Sequence, residues 1–153
     1  MLRLSKAFLL FTGLLYTVFL FYVYAYFAKQ EMIYLQLGGD TMAFSSNTLF
    51  YTGLIFPLVI AMVGIFFSGF FKKQSISSNG FFKNESAKKK MIAWSNGLGG
   101  VFNLFSASIL SIILFSNNEE GVTQNGFIPF VFISVALIIV WFLWLPIILA
   151  KNK

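Results

Sequence analysis

"AWSNGLGGVFNLFSAS" occupies residues 93–108. No Asp, Glu, Lys or Arg interrupts the chain from Met91 to Phe115 around it. An uncharged run of that length exceeds the roughly 20 residues an α-helix needs to cross a hydrocarbon core. Three more runs are equally free of charge: about Ala7–Phe27, Leu49–Phe71 and Phe127–Ala150. Only helices and closed barrels satisfy their backbone in lipid, and these runs lack the alternation of barrel strands. The expected fold is therefore all-α: an integral membrane four-helix antiparallel bundle. It forms a single membrane domain over 1–153, with outer loops 28–48 and 116–126 and a cytoplasmic loop 72–90.

Composition agrees. The chain is 58% hydrophobic and 10% charged, against roughly 25% charged residues in a typical soluble domain. Twenty-one Phe against five acids suits lipid as solvent. Cysteine and histidine are both absent, which removes disulfides, thiolates, the commonest metal ligand and the usual general base near neutral pH. No catalytic residue, cofactor or metal site is expected.

The net charge of +6 is explained by position. Arg3, Lys6, Lys72, Lys73, Lys83, Lys88, Lys89, Lys90, Lys151 and Lys153 fall on one side of the four spans, and Lys29 on the other. Glu31, Asp40, Glu119 and Glu120 share the side of Lys29, while Glu85 sits with the basic group. The positive-inside rule then puts both termini and the middle loop in the cytoplasm, against dual topology. The basic residues are thus orientation signals, and no nucleic-acid partner is expected. Trp94, Trp141 and Trp144 fall near the cytoplasmic ends of spans three and four, as interface anchors do. The first span is longer than a signal-peptide core and no small-x-small site follows it, so it reads as an uncleaved anchor.

The loops are less specific. "KKQSISSNGFFKNESAKKK" (72–90) reads as a mobile loop lying against anionic headgroups, or as a docking site. Its Asn84-Glu85-Ser86 matches a glycosylation pattern on the wrong side of the membrane. In the first outer loop Ile33, Leu35 and Leu37 alternate with Met32, Tyr34 and Gln36, and Gly38-Gly39 follows. That pattern fits a small hairpin; an irregular loop and a helical extension are the alternatives. Ser46 or Asn47 is the expected cap of helix two. Asp40, Glu119 and Glu120 read as solvated loop charges, with a cation site as the alternative.

The polar residues of the third span are ordered. At 100° per residue from Asn96, Gly100 lies at about 40°, Asn103 at about −20° and Ser111 at about 60°, while Gly99 and Ser106 lie at about −60° and −80°. Lipid cannot hydrogen-bond an amide, so this face points at protein or water. It is either the packing seam of the bundle or the lining of a polar cavity for a small ligand or ion. Helix two offers Gly53, Pro57, Gly64, Ser68 and Gly69, and helix one offers Thr12, Gly13 and Thr17. Gly64 and Ser68 form a small-xxx-small pair. Pro57 and Pro146 are candidate kinks. "FTGLLY" and "YTGLIF" match over too short a stretch to count as a repeat.

"WSNGLGGVFNLFSASIL", "SNNEEG" and the closing "WFLWLP" resemble a group of small uncharacterised four-helix membrane proteins of Bacteroidetes-type bacteria. The resemblance implies an inner-membrane protein and names no chemistry. "YFAKQEMIYLQLGGDTMAFSSNTLF" is similar to the loop after the first span of SdpI-like immunity and signalling proteins, without the Pro and His those loops usually carry. Two functions are compatible with these features. One is a non-catalytic accessory or structural subunit, or an immunity-like factor, whose partners are the bilayer and other membrane chains. The other is a small oligomeric transporter or channel with an Asn/Gly/Ser-lined path along helix three. Ionisable residues, the usual mark of ion pathways, are missing from the spans. An enzyme is disfavoured for want of His, Cys or clustered acids.

Overall fold

In a computed structural model, residues 1–30, 32–37, 40–77, 80–117 and 128–151 are described; of Gln36, Leu37, Asp40, Thr41 and Ile128 only the backbone is. The elements in chain order are α1 (Leu2–Phe27), β1 (Ile33–Leu37), β2 (Asp40–Phe44), α2 (Ser46–Lys73), α3 (Glu85–Ser116) and α4 (Ile128–Ala150). All four helices are long and apolar enough to cross a membrane. Every span starts and ends within a few residues of its sequence estimate except α3, which begins nearly two turns earlier, and α1, which begins at Leu2.

The helices are not arranged as four equivalent neighbours. Helix α3 is central, and α1, α2 and α4 each pack on it, while α1 and α2 also touch one another. Every residue from Met91 to Val101 is buried, so this stretch has no lipid-facing side. A core helix crowded on all sides needs small residues in several directions, which explains a sequence too rich in Gly and Ser for a lipid-exposed span. The 32 residues of α3 would extend about 48 Å at 1.5 Å each, beyond a core of roughly 30 Å. Its first turns carry Lys88, Lys89 and Lys90, and Lys89 pairs with Glu85 at 2.8 Å.

The loop between α1 and α2 forms the hairpin. β1 and β2 are antiparallel, with Ile33 opposite Phe44 and Leu37 opposite Asp40; Gly38 and Gly39 lie outside the described residues. The period of two is realised where side chains are described: Ile33 is buried, Leu35 half-buried, and Met32 and Tyr34 exposed. Ile33 joins Tyr16, Leu20, Val23, Phe27, Leu110 and Ile113 in one apolar core. Asn117, just past α3, fastens the strand. Its Oδ1 accepts from Tyr34 N at 2.8 Å, and its Nδ2 donates to Tyr34 O at 2.6 Å. The cap of α2 is Ser45, whose hydroxyl accepts from Thr48 N at 3.2 Å. It precedes the expected Ser46 and Asn47 because the strand runs directly into the helix and leaves Ser45 as the last extended residue.

The α2–α3 connection is shorter and more firmly built than its Lys, Ser and Asn content predicts. Phe82 is fully buried at the centre of a second core with Phe71, Met91, Ile92, Trp94 and Ile148. Lys88 Nζ donates to Gln74 O at 2.5 Å. Asn84 caps α3 by accepting from Ala87 N at 2.7 Å, and its Nδ2 reaches Lys151 O at 3.2 Å. One buried aromatic inside a polar segment, Phe82, thus anchors it; composition averaged over the segment hides it.

Candidate functional site

The site with the most polar side chains inside the spans is α3 itself, where it meets its three neighbours. Toward α1, a Cβ added to Gly100 would lie 2.5 Å from Phe8 Cε1 and 3.1 Å from Thr12 Oγ1. One turn on, Asn103 Nδ2 donates to Thr12 Oγ1 at 3.4 Å. Toward α2, Ser95 Oγ donates to Gly64 O at 2.7 Å. Gly64 permits that approach: a Cβ there would lie 2.6 Å from Ser95 O. Gly99 similarly sits against Leu9 and Ala61.

Toward α4, the contact is a reciprocal pair of indoles. Trp94 Nε1 donates to Trp141 O at 2.7 Å, and Trp141 Nε1 donates to Trp94 O at 3.2 Å. Gly97 leaves room for the Trp141 ring, whose Cη2 would lie 2.7 Å from an added Cβ. Nearer the other end, Ser108 Oγ and Ser134 Oγ are 2.8 Å apart.

Among the described residues, three buried side-chain polar atoms have no hydrogen-bond partner: Ser68 Oγ, Asn96 Nδ2 and Ser106 Oγ. Ser106 lines a cavity of about 410 Å³ with Tyr16, Thr52, Pro57 and Leu110, between α2 and α3. Its walls are otherwise almost wholly apolar. Ser111 is in a different place. It bonds back to Ala107 O at 2.9 Å and lines a groove between α3 and α4. The groups inside the spans are hydroxyls, amides, indoles and one buried phenol, which donate and accept hydrogen bonds but do not exchange protons readily near neutral pH.

Of the face read from the sequence, Gly99, Gly100 and Asn103 lie together against α1 and α2, with Gly64 opposite Ser95. Ser111 lies apart from them. Ser95, Gly97 and Ser108 are contact residues that a one-sided helical wheel leaves out, because it gives a central helix only one neighbour. Their signal is that small residues recur at nearly every angle between Ser95 and Ser108. Of the three tryptophans read as interface anchors, Trp94 is 8% exposed and bonded within the protein, so it does not present its ring to headgroups. Trp144 is exposed and packs edge-on against Trp141. The acidic trio falls outside the described residues at Glu119 and Glu120 and at the side chain of Asp40. Among the described residues no three His, Cys, Asp or Glu side chains gather into a metal-binding group. Comparison with protein-family models, with curated proteins and with solved structures finds no match for this chain.

Proposed function

We propose that the chain is a non-catalytic multi-pass protein of a bacterial inner membrane, with both termini inside, acting as an accessory subunit of a larger membrane assembly or as an immunity-like factor. The observation that carries this reading is the way α3 uses its polar groups. Ser95, Asn103, Ser108 and Trp94 each bind a neighbouring helix, and four such bonds hold a scaffold rather than compose a reaction centre. The scaffold presents α4, docked by one side on α3. Its other sides carry Phe132, Val140 and Leu143, each at least 60% exposed, a surface that suits a partner helix as well as lipid. A photo-crosslinking residue at Val140 in cells at native abundance is expected to capture a second polypeptide, where the same residue at Val18 on α1 captures lipid. Lipid adducts alone at both positions would remove the accessory-subunit reading.

The orientation rests on the distribution of Lys and Arg under the positive-inside rule. A membrane-impermeant maleimide applied to intact cells is expected to label Gln30→Cys and to spare Ser75→Cys until the membrane is opened. The reverse pattern would invert the topology.

A second reading has one observation of its own. Among the described residues, Ser106 Oγ and Asn96 Nδ2 are buried without hydrogen-bond partners, and Ser106 borders the 410 Å³ cavity. That fits a small oligomeric transporter with a path along α3. Proteoliposomes that release no solute over a broad panel would dismiss it.

A further inference from the structure

The hairpin has two edges, and only one of them is covered. Asn117 binds both the N–H and the C=O of Tyr34, at 2.8 and 2.6 Å, so those groups point away from β2. Opposed residues of an antiparallel pair alternate between exchanging both hydrogen bonds and exchanging none. Tyr34 and Ala43 are therefore a pair that exchanges none, and so are Gln36 and Thr41, two residues along the same register. The peptide groups of Thr41 and Ala43 then point away from β1, along the free side of β2. Among the described residues no hydrogen bond reaches them there.

A side chain beside this edge is uncovered as well. Met42 lies opposite Leu35, on the face of the sheet that Ile33 turns to the core. Leu35 is half-buried there, whereas Met42 is 58% exposed. The inward face of β2 thus runs past the cover that one chain provides. Edge strands are ordinarily protected by charge, proline, a bulge or a covering group. On β1 the Asn117 amide is that cover; from Thr41 to Phe44 the sequence of β2 has neither charge nor proline.

We infer that the free edge of β2 pairs antiparallel with the same edge of a second copy of this chain, with Met42 at the two-fold axis. Neighbouring copies in one bilayer share an orientation, so their hairpins lie at one level; this step rests on the membrane reading above. One register uses every outward peptide group. Thr41 of each copy exchanges both hydrogen bonds with Ala43 of the other, and the two Met42 residues oppose each other in a pair that exchanges none. In that register the uncovered Met42 side chains cover one another, and Asp40 comes opposite Phe44 of the other copy rather than its own counterpart. Asn117 occupies the edge of β1, so pairing ends at two copies instead of growing into a longer sheet.

The test uses the full chain in the membrane of the cells that make it. The sequence has no cysteine, so an introduced one reports alone. Opposed Cα atoms in a pair of the Met42 kind lie about 4.5 Å apart, within the roughly 4.4–6.8 Å that a disulfide spans. Met42→Cys, oxidised with copper phenanthroline, is expected to give a product of twice the chain mass. Tyr34→Cys is equally open to chance collision, but it lies on β1, three strand spacings or roughly 14 Å from its copy, and should give none above background. Thr41→Cys chains mixed with Ala43→Cys chains should crosslink more than either alone, because only the mixture opposes the two positions. Met42→Cys crosslinking no better than Tyr34→Cys would overturn the proposal. A mixture no better than its components would do the same, as would a product of any other mass, which would mark an extended segment of another protein on the edge. An inverted topology turns every copy alike and leaves these expectations unchanged, so a failed crosslink bears on the edge and not on the orientation.

Discussion

Gly64→Ala is expected to lower the unfolding midpoint of the detergent-solubilised chain by roughly 10 °C, the shift that about 3 kcal/mol produces in a protein of this size. The added Cβ would meet Ser95 O at 2.6 Å, whereas carbon–oxygen contacts settle at about 3.3–3.6 Å. The obstacle is backbone on a helix packed on every side, so no side chain can turn away to relieve it. Separating α2 from α3 by the missing distance, roughly 1 Å, would also stretch the 2.7 Å bond from Ser95 Oγ to Gly64 O beyond hydrogen-bonding range. It would also loosen the seat of Gly99 against Ala61, where an added Cβ would lie 3.2 Å from Ala61 Cα. Overpacking alone costs about 1–3 kcal/mol, and the lost bond brings the total to the upper end. Two controls isolate the cause. Gly69, in the same helix, has nothing within 4 Å of an added Cβ, so Gly69→Ala should be neutral or mildly stabilising through helix propensity. Ser95→Ala removes the hydrogen bond without the clash and should cost about 0.6 kcal/mol, the mean for such bonds in a membrane protein. A Gly64→Ala chain that melts within a degree or two of wild type would show that α2 and α3 do not meet this closely.

That contact marks where sequence reading stops. The spans were legible because a run without charge leaves a helix in lipid few alternatives, and the hairpin because Ile33 and Leu35 keep a period of two before a glycine pair. Gly64 was legible as a small residue four before Ser68, but its partner was not. Pairing in three dimensions depends on which helix is central, and the hydropathy of each span says nothing about its neighbours. α3 reveals its position only through residues such as Gly97 and Ser108, which fall outside the best polar face and look like noise until α4 is placed. The tryptophans show the same limit. Position near a span end predicts a headgroup anchor, yet Trp94 and Trp141 satisfy each other across a helix pair. Phe82 was masked by its polar surroundings for a similar reason.

Tyr16→Phe is the other substitution with a large expected effect, about 1–3 kcal/mol, because it leaves a buried carbonyl unsatisfied. Pro57 has no N–H, so the carbonyl of Gly53, four residues earlier, loses its helical donor. Water cannot replace that donor inside a hydrocarbon layer. Tyr16 Oη supplies it from α1 at 2.6 Å. The tyrosine is 5% exposed, and the absence of a side chain at Gly53 lets it come close, since a Cβ there would lie 3.1 Å from the hydroxyl. Proline and tyrosine are therefore one device divided between two helices: the residue that breaks the α2 ladder also creates the acceptor that binds α2 to α1. A double-mutant cycle tests this coupling. In a Pro57→Ala background residue 57 regains an N–H for Gly53 O, so Tyr16→Phe should then cost under about 1 kcal/mol, near the mean for an ordinary interhelical bond. If Tyr16→Phe costs the same in both backgrounds, the hydroxyl only fills space and the link between kink and helix pairing is lost. A smaller cost in the Pro57→Ala background would mean that Pro57 is kept for the acceptor it exposes, which ties the shape of α2 to its seat on α1.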